Sequence, residues 1–362
     1  MSRHKSIFGA YADKLQAVVD QSKDRFAPTW YQKYFNFGTS QTSLTYTSVL
    51  GASRIEAAAS IISRNSSAPL RSRAALAKLS GEIPAISEKF KMSEQDYRDF
   101  YMLQQLNVDD QAKKNQLMDL LFNDTKKAGE SAHKRLDYLC LEAVSTGQIT
   151  ITVDNNPDGF VNSVALDLGM PSANKKNAAV SWATSATATP ITDINNVVEA
   201  AFSEGRSFSK ILMSRNAWLK FSKAKEVIDS LTAYFSIAKG QLTVVTLDKV
   251  NNYLEDNLLP VIEIVNEVVG IEKDGVISAQ RPFNDNNVSF IPAGPLGRIH
   301  HAYAIEDLQK VAGVSYASYN KALISKWQEN DPFAEYTKVE LNAFPGFEAI
   351  EGTYLLSTVA GF

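Results

Sequence analysis

VDDQAKKNQLMDLLFNDTKKAGESAHKRLDYLCLEAVSTG, Val108 to Gly147, runs for forty residues without a proline. Apolar or small residues recur in it at Leu117, Leu121, Ala128, Ala132, Leu136, Leu139 and Ala143. Spacings of three, four and seven place them on one face of a helix. Such a helix would be about 57 Å long at ~1.5 Å per residue, well beyond the usual ~11 residues of a globular helix. Asp109 and Asp110 put negative charge at its start, and Gly147 stands where a helix of this register stops. A strut of this length points to an elongated structural protein rather than a compact enzyme.

Immediately downstream, Gln148-Ile-Thr-Ile-Thr-Val153 alternates like a half-buried strand. Asn155-Asn-Pro-Asp-Gly159 is a turn, and Phe160 to Leu166 is the returning strand. Residues 190–300 read as α/β. Thr192 or Asp193 is expected to cap a helix carrying Ile194, Val197, Val198 and Ala201. Lys210–Met213 forms a short buried strand, and Asn216–Leu231 a helix with Trp218, Phe221 and Val227 inward. Leu242–Leu247 and Val261–Val265 are expected strands, and Val268–Ile277 a hairpin turning at Lys-Asp-Gly. Residues 300–362 return to strands, ending in Thr353–Val359.

Upstream, the character changes. Ile7, Tyr11, Leu15 and Val18 mark one side of a short helix. Aromatics then crowd Phe26–Trp30 and Tyr31–Phe35, too few to form a core of their own. They must dock, either on the rest of the chain or on a neighbouring one. Residues 46–92 are small and polar, with Arg54, Arg64, Arg71 and Arg73 scattered through them and turn chemistry at Ser63–Pro69. A segment this poor in large apolar side chains does not order itself alone. It is a floppy insertion or a long β-loop lying on a partner, and loops of this length tend to be functional.

Composition excludes several functions. The 362 residues suffice for one large or two ordinary domains, and 44% hydrophobic content supports a real core. A net charge of −3 lacks the concentrated Lys and Arg of a protein built to grip nucleic acid. Cys140 is the single cysteine, so no intrachain disulfide forms, and beside the apolar stripe it reads as packing rather than a reactive thiol. With four histidines and one cysteine a Cys-rich zinc site is out of reach. No apolar run approaches a membrane span, and Met1–Gly9 lacks a signal-peptide core. A soluble, cytoplasmically made product is expected.

The chemistry-bearing candidates are weak. His300 and His301 are adjacent and would face opposite sides of a strand, so they do not share a metal. Pro292–Arg298 is rich in glycine but lacks the P-loop spacing and its Lys-Ser/Thr, and reads as a loop between strands. No Gly-x-Ser-x-Gly elbow or His-Glu-x-x-His is present. Lysines and carboxylates interleave along 113–137, which fits contact with solvent or a neighbouring subunit. No catalytic residue, cofactor site or metal site is expected.

The order of these parts resembles the major capsid protein E family of tailed phages. Arg25-Phe-Ala-Pro-Thr-Trp-Tyr-Gln-Lys-Tyr-Phe35 is similar to that family's basic-Phe-x-Pro opening and aromatic pair. Gly51, Ala68–Arg73, Gly81–Ile86 and Lys89–Met92 look like its extended loop and return strand. Ile149–Gly169 resembles the hairpin after its spine helix. Val180-Ser-Trp182, Pro190–Ile194, Ala217–Val227 and Val288–Gly297 resemble its axial domain, and Asn330-Asp-Pro332 the turn before its last strands.

The resemblance implies an α+β chain with the Hong Kong-type capsid fold. Its parts would be an N-terminal arm (1–45), an extended β-loop (46–92), a peripheral domain with long spine helix and hairpin (93–189), an axial α/β domain (190–299), and return strands completing the peripheral domain (300–362). It further implies hexamers and pentamers of this chain closing into an icosahedral head around double-stranded DNA, which the wall touches weakly and without specificity. A scaffold protein, separate because the chain enters its arm directly, a portal protein and a decoration protein are the implied partners, with no membrane involved. Assembly would take place in the host bacterial cytoplasm. Trp30, Tyr31, Phe35, Arg54, Arg64, Arg71 and Arg73 are the candidate interface residues, and Gly129 the site of a bend during shell expansion. An encapsulin-like cellular compartment shares the fold, and an α/β enzyme or ligand-binding protein using residues 190–300 is the remaining alternative.

Overall fold

The computed structural model describes residues 15–21, 26–50, 77–105, 110–157, 164–235 and 244–359. In chain order the helices are α1 (Leu15–Gln21), α2 (Glu94–Gln105), α3 (Asp110–Thr146), α4 (Pro190–Ser203), α5 (Arg215–Phe221), α6 (Lys225–Tyr234), α7 (Leu247–Asp256) and α8 (Ile305–Leu308). The strands are β1 (Phe35–Gln41), β2 (Thr45–Leu50), β3 (Ala77–Glu82), β4 (Ala85–Ser93), β5 (Gln148–Ile151), β6 (Val164–Asp167), β7 (Lys175–Asn177), β8 (Lys210–Ser214) and β9 (Val261–Val265). They continue with β10 (Val269–Lys273), β11 (Val276–Gln280), β12 (Asn287–Ile291), β13 (Gly297–Ala302), β14 (Ser315–Tyr319), β15 (Ala322–Asn330), β16 (Phe333–Gly346) and β17 (Tyr354–Ser357).

The forty-residue stretch is α3, a single helix of 37 residues that ends at Gly147, whose φ of +72° is the left-handed turn a helix stop requires. The expected stripe is buried where side chains are described: Ala128, Ala132, Leu136, Leu139 and Ala143 are all within the core, as is Cys140.

The chain divides into two units. The first comprises residues 1–46, 81–137 and 299–345. Its sheet has the order β1-β13-β16-β15-β14, with β4 also paired to β16. β15 and β16 are an antiparallel hairpin about Asp331-Pro332, in register from Leu323↔Glu340 to Asn330↔Phe333. The loop's return strand β4 follows β16 from Ala85↔Asn342 to Ser93↔Ala334. Ile324, Val339 and Leu341 on the sheet and Ala128, Ala132 and Leu136 on α3 are fully or almost fully buried.

The second unit comprises residues 47–80, 138–298 and 346–362. Its sheet runs β7-β17-β12-β8-β9, with β8–β9 and β17–β7 parallel and the β12 pairings antiparallel. β12 is buried along its whole length. Trp182, Ile194, Val197, Phe221, Val227, Leu231, Phe290 and Tyr354 form its core. The end of α3 is bonded into this unit by buried polar side chains of β12. Asn287 Nδ2 donates to Ser145 O and Ser289 Oγ to Val144 O, both at 2.8 Å. These bonds satisfy carbonyls that a helix terminus leaves without partners.

Four local expectations are corrected. Tyr354–Ser357 lies between β12 and β7, so the last residues join the sheet of residues 175–291 rather than following 300–345 into the other sheet. Asn216–Leu231 is two helices, α5 and α6, broken after Phe221. The expected strand Leu242–Leu247 is absent from its described part: Val244 is exposed, and the Thr246 hydroxyl accepts from Lys249 N to cap α7. Asp193 is not a cap. It sits buried inside α4, accepting from Trp182 Nε1 at 2.9 Å, and the start of α4 is capped by Glu226, which accepts from Ile191 N at 2.8 Å.

The hairpins match expectation where they are described; residues 158–163, part of the first turn and its returning strand, lie outside the described residues. β5 and β6 pair from Gln148↔Asp167 to Ile151↔Val164. β10 and β11 turn at Asp274 and Gly275, whose φ values of +52° and +76° are the paired positive angles of a tight two-residue hairpin.

Candidate functional site

The site with most chemistry in the first unit is the bed in which the arm lies. Four residues on one side of α3 receive it: Gly129, Glu130, His133 and Asp137, at spacings of one, three and four that keep them together. Glu130 Oε1 accepts from Ala27 N at 3.0 Å, and Asp137 Oδ1 accepts from Tyr31 N at 2.8 Å. The Tyr31 hydroxyl meets His133 Nδ1 at 2.8 Å, while His133 Nε2 lies 3.3 Å from the carbonyl oxygen of Tyr319. A carbonyl only accepts, so Nε2 carries the hydrogen and Nδ1 accepts from Tyr31. Burial pulls the His133 imidazole from 6.5 down to about 4, so it is neutral in the folded chain at physiological pH.

Phe26 completes the bed. Its ring stacks on Tyr319 at 3.9 Å between centroids, and it passes over α3 where Gly129 has no side chain. Trp30, Tyr31 and Phe35 are 2%, 0% and 1% exposed. The chain's own core encloses the side chains of these three candidates. Each large apolar side chain so buried contributes about 2–3 kcal/mol. Arg54, Arg64, Arg71 and Arg73 fall outside the described residues.

The root of the loop is equally fixed. Tyr46 is buried, stacked on His300 at 4.8 Å and on Phe344 at 5.4 Å. Gly81 passes beside its ring, where a Cβ would come to 3.0 Å, and Ile83 N donates to Leu44 O at 2.6 Å. On the return side, Tyr97 of α2 donates to Glu335, which also holds Lys326 at 3.1 Å in an ion pair nearly sealed from water. Gln328 Nε2 donates to the Tyr97 hydroxyl at 2.9 Å. The described strands on either side of residues 51–76 are therefore each held in place.

His300 and His301 take different partners: Tyr46 for the first, Phe37 and Tyr303 for the second. Pro292–Leu296 is the connection between β12 and β13, and Gly297 and Arg298, expected in that loop, already belong to β13. Among the described residues no group of three metal-ligating side chains gathers, and no helix is long and apolar enough to cross a membrane. The Tyr31–His133 pair is enclosed by the arm itself. What this arrangement does chemically is hold a strand of chain in place.

The sequence pattern of phage major capsid protein E matches residues 12–354. The chain belongs to that family. It is a phage major capsid protein, and its place is the phage head. A solved structure of a prophage protein of E. coli CFT073, proposed as its capsid protein, superposes over 99% of this chain and all of its own length with a TM-score of 0.57 at 14% identity. That likeness shows the Hong Kong-type fold. The capsid of cyanophage A-1(L) covers 91% of each chain at 12% identity with a TM-score of 0.47. A phage-related protein of Bordetella bronchiseptica RB50 covers 94% of this chain and 96% of its own at 11% identity, with a TM-score of 0.49. No curated protein sequence matches the chain.

Proposed function

We propose that copies of this capsid protein assemble as hexamers and pentamers into an icosahedral head around double-stranded DNA. The parts would be the arm at 1–45, the extended loop at 46–92, the spine-helix domain at 93–189 with strands from beyond residue 300, and the axial domain at 190–299. A scaffold protein directs the closure, a portal protein occupies one vertex, and a decoration protein binds the outside, with assembly in the host cytoplasm. The protein catalyses nothing in this role. A net charge of −3 supports a wall that confines DNA without gripping it.

The observation that carries this reading is the loop root. Tyr46 and Gly81 are clamped together, while thirty-four residues between them carry Arg54, Arg64, Arg71 and Arg73 and few large apolar side chains. A fixed root with a tip unable to make its own core supports a loop that lies on the next copy. Replacing residues 51–76 by a short Gly-Ser turn is expected to leave a folded, soluble subunit that forms no shells in negative-stain images. Full-size shells from that variant, or a full-length protein that stays monomeric with its scaffold present, would overturn the reading.

A further inference from the structure

β14 is the last strand on its side of the first unit's sheet. Its sequence, Ser315-Tyr-Ala-Ser-Tyr319, has no charge and no proline. Open edges are normally protected by lysine, proline, a bulge or a covering element, because their free backbone groups pair with any strand offered. β14 has none of the first two.

It has a cover instead. Gln16 of α1 places its carboxamide against the backbone of Ser318: Ser318 N donates to Gln16 Oε1 at 2.7 Å, and Gln16 Nε2 donates to Ser318 O at 3.1 Å. That is the pair of bonds a neighbouring strand would make at this residue. Gln16 Nε2 also donates to Asp20 Oδ1, one turn along α1 at 3.1 Å, which fixes the amide's orientation. α1 is held by Leu15 and Val19, 3% and 1% exposed, and the chain beyond it by the Phe26–Tyr319 stack.

We propose that α1 is an edge guard: Gln16 imitates a strand on Ser318 and withholds β14 from the β14 edge of a second copy. Unguarded, two such edges would pair antiparallel about a twofold axis, an isologous contact. The inference rests on the shell reading for its purpose, since a stray two-fold pairing would compete with shell contacts. The contact itself stands on the geometry of one chain.

The test uses full-length subunits kept unassembled without scaffold, comparing wild type, Gln16→Glu and Gln16→Ala. Glutamate sets a carboxylate against the Ser318 carbonyl and Asp20, and alanine removes both bonds. In dilute samples that hold both variants monomeric, hydrogen exchange at Ser318 N is expected to rise at least about tenfold, as for loss of a local hydrogen bond. At higher concentration light scattering should show dimers, because an isologous contact closes at two copies. Adding Ser318→Lys, at an exposed position on the edge, should return both variants to monomers by setting like charges opposite each other. Unchanged exchange and association in both variants, or association that the lysine does not relieve, would overturn the guard. Failure of the wild type to form shells with scaffold would sink the shell reading and leave this result intact.

Discussion

The ring of Phe26 crosses the spine helix at Gly129, where a Cβ would stand 3.0 Å from Phe26 Cε1 and 3.4 Å from Tyr319 Cδ1. This gives the glycine a packing reason, in a helix that continues unbroken from Asp110 to Thr146. Gly129→Ala sets two effects against each other. Alanine gains about 1 kcal/mol of helix propensity, but Phe26 is pinned between the helix and Tyr319, and overpacking costs about 1–3 kcal/mol. Urea titration is expected to find Gly129→Ala less stable than wild type by about 1 kcal/mol. Combining it with Phe26→Leu should recover the helix gain. A single variant more stable than wild type would show that Phe26 is free to move aside.

Acid should loosen the arm through His133. Above pH 6.5 the imidazole is neutral in both folded and unfolded chains and contributes nothing to pH dependence. Between 6.5 and about 4 the unfolded chain takes a proton that the folded chain refuses. Stability therefore falls as pH falls, by on the order of 3 kcal/mol at pH 4. The groups facing His133 are the Tyr31 hydroxyl and Tyr319 carbonyl, with Glu130 and Asp137 on neighbouring turns of α3. Protection of residues 26–35 from hydrogen exchange, referred to the intrinsic amide rate at each pH, should fall between pH 6.5 and 4. In His133→Gln, which still offers one donor and one acceptor, that loss of protection should largely vanish. An identical pH profile in the variant would clear His133 of the role.

The strut was legible because its signal is long and redundant: seven stripe positions, no proline and a terminal glycine agree. Its polar face was not. Glu130 and Asp137, interleaved with lysines, read as facing solvent or a neighbouring subunit, yet both accept backbone N–H groups of the chain's own residues 27–31, and Asp137 is 6% exposed. The signal that could have found them is the coincidence of Gly129, Glu130, His133 and Asp137 on one side of the helix with an aromatic segment in need of a bed. Lys326 and Glu335 escaped for the same reason, since charges on strands read as outward and these two neutralise each other inside. Val244 was read as part of a strand because short apolar alternation fits a strand or a chain leading into a helix equally, and Thr246 decides for the helix. Asp193 looked like a cap by type alone, when its nearest need was the indole of Trp182.

Glu142 should set a second pH dependence, opposite in sense. Burial raises its carboxyl from 4.5 to about 7, against the pull of the Thr150 N–H that Oε1 accepts at 3.1 Å, while Oε2 has no hydrogen-bond partner. The folded chain holds this proton where the unfolded chain has lost it. The stability so gained is complete below pH 4.5 and disappears as pH rises to about 7. Glu142→Gln keeps the acceptor and removes the charge. Its melting temperature should match wild type at pH 4.5 and exceed it by about 2–4 °C at pH 8. A variant that melts lower than wild type at pH 8 would mean that the carboxylate has a charged partner.

Two glycines, Gly294 in the loop after β12 and Gly297 at the start of β13, should respond to alanine in the reverse of the order their backbone angles suggest. Gly294 has φ +92°, a conformation that disfavours any side chain, but a Cβ there would meet nothing within 4 Å. Its replacement by alanine should cost only the conformational strain, about 1–2 kcal/mol. Gly297 has no such angle. A Cβ there would collide with the carbonyl oxygen of Gly346 and stand 3.0 Å from its carbonyl carbon and 3.1 Å from Glu348 N. All three are backbone atoms, and the strand cannot back away, because Ala349 N donates to Leu296 O at 2.8 Å and Arg298 pairs with Glu348 at 3.3 Å. Gly297→Ala should therefore cost about 3 kcal/mol or more and lower the soluble yield, while Gly294→Ala expresses normally. Equal denaturation midpoints for the two variants would mean that the Gly297–Gly346 approach opens at little cost.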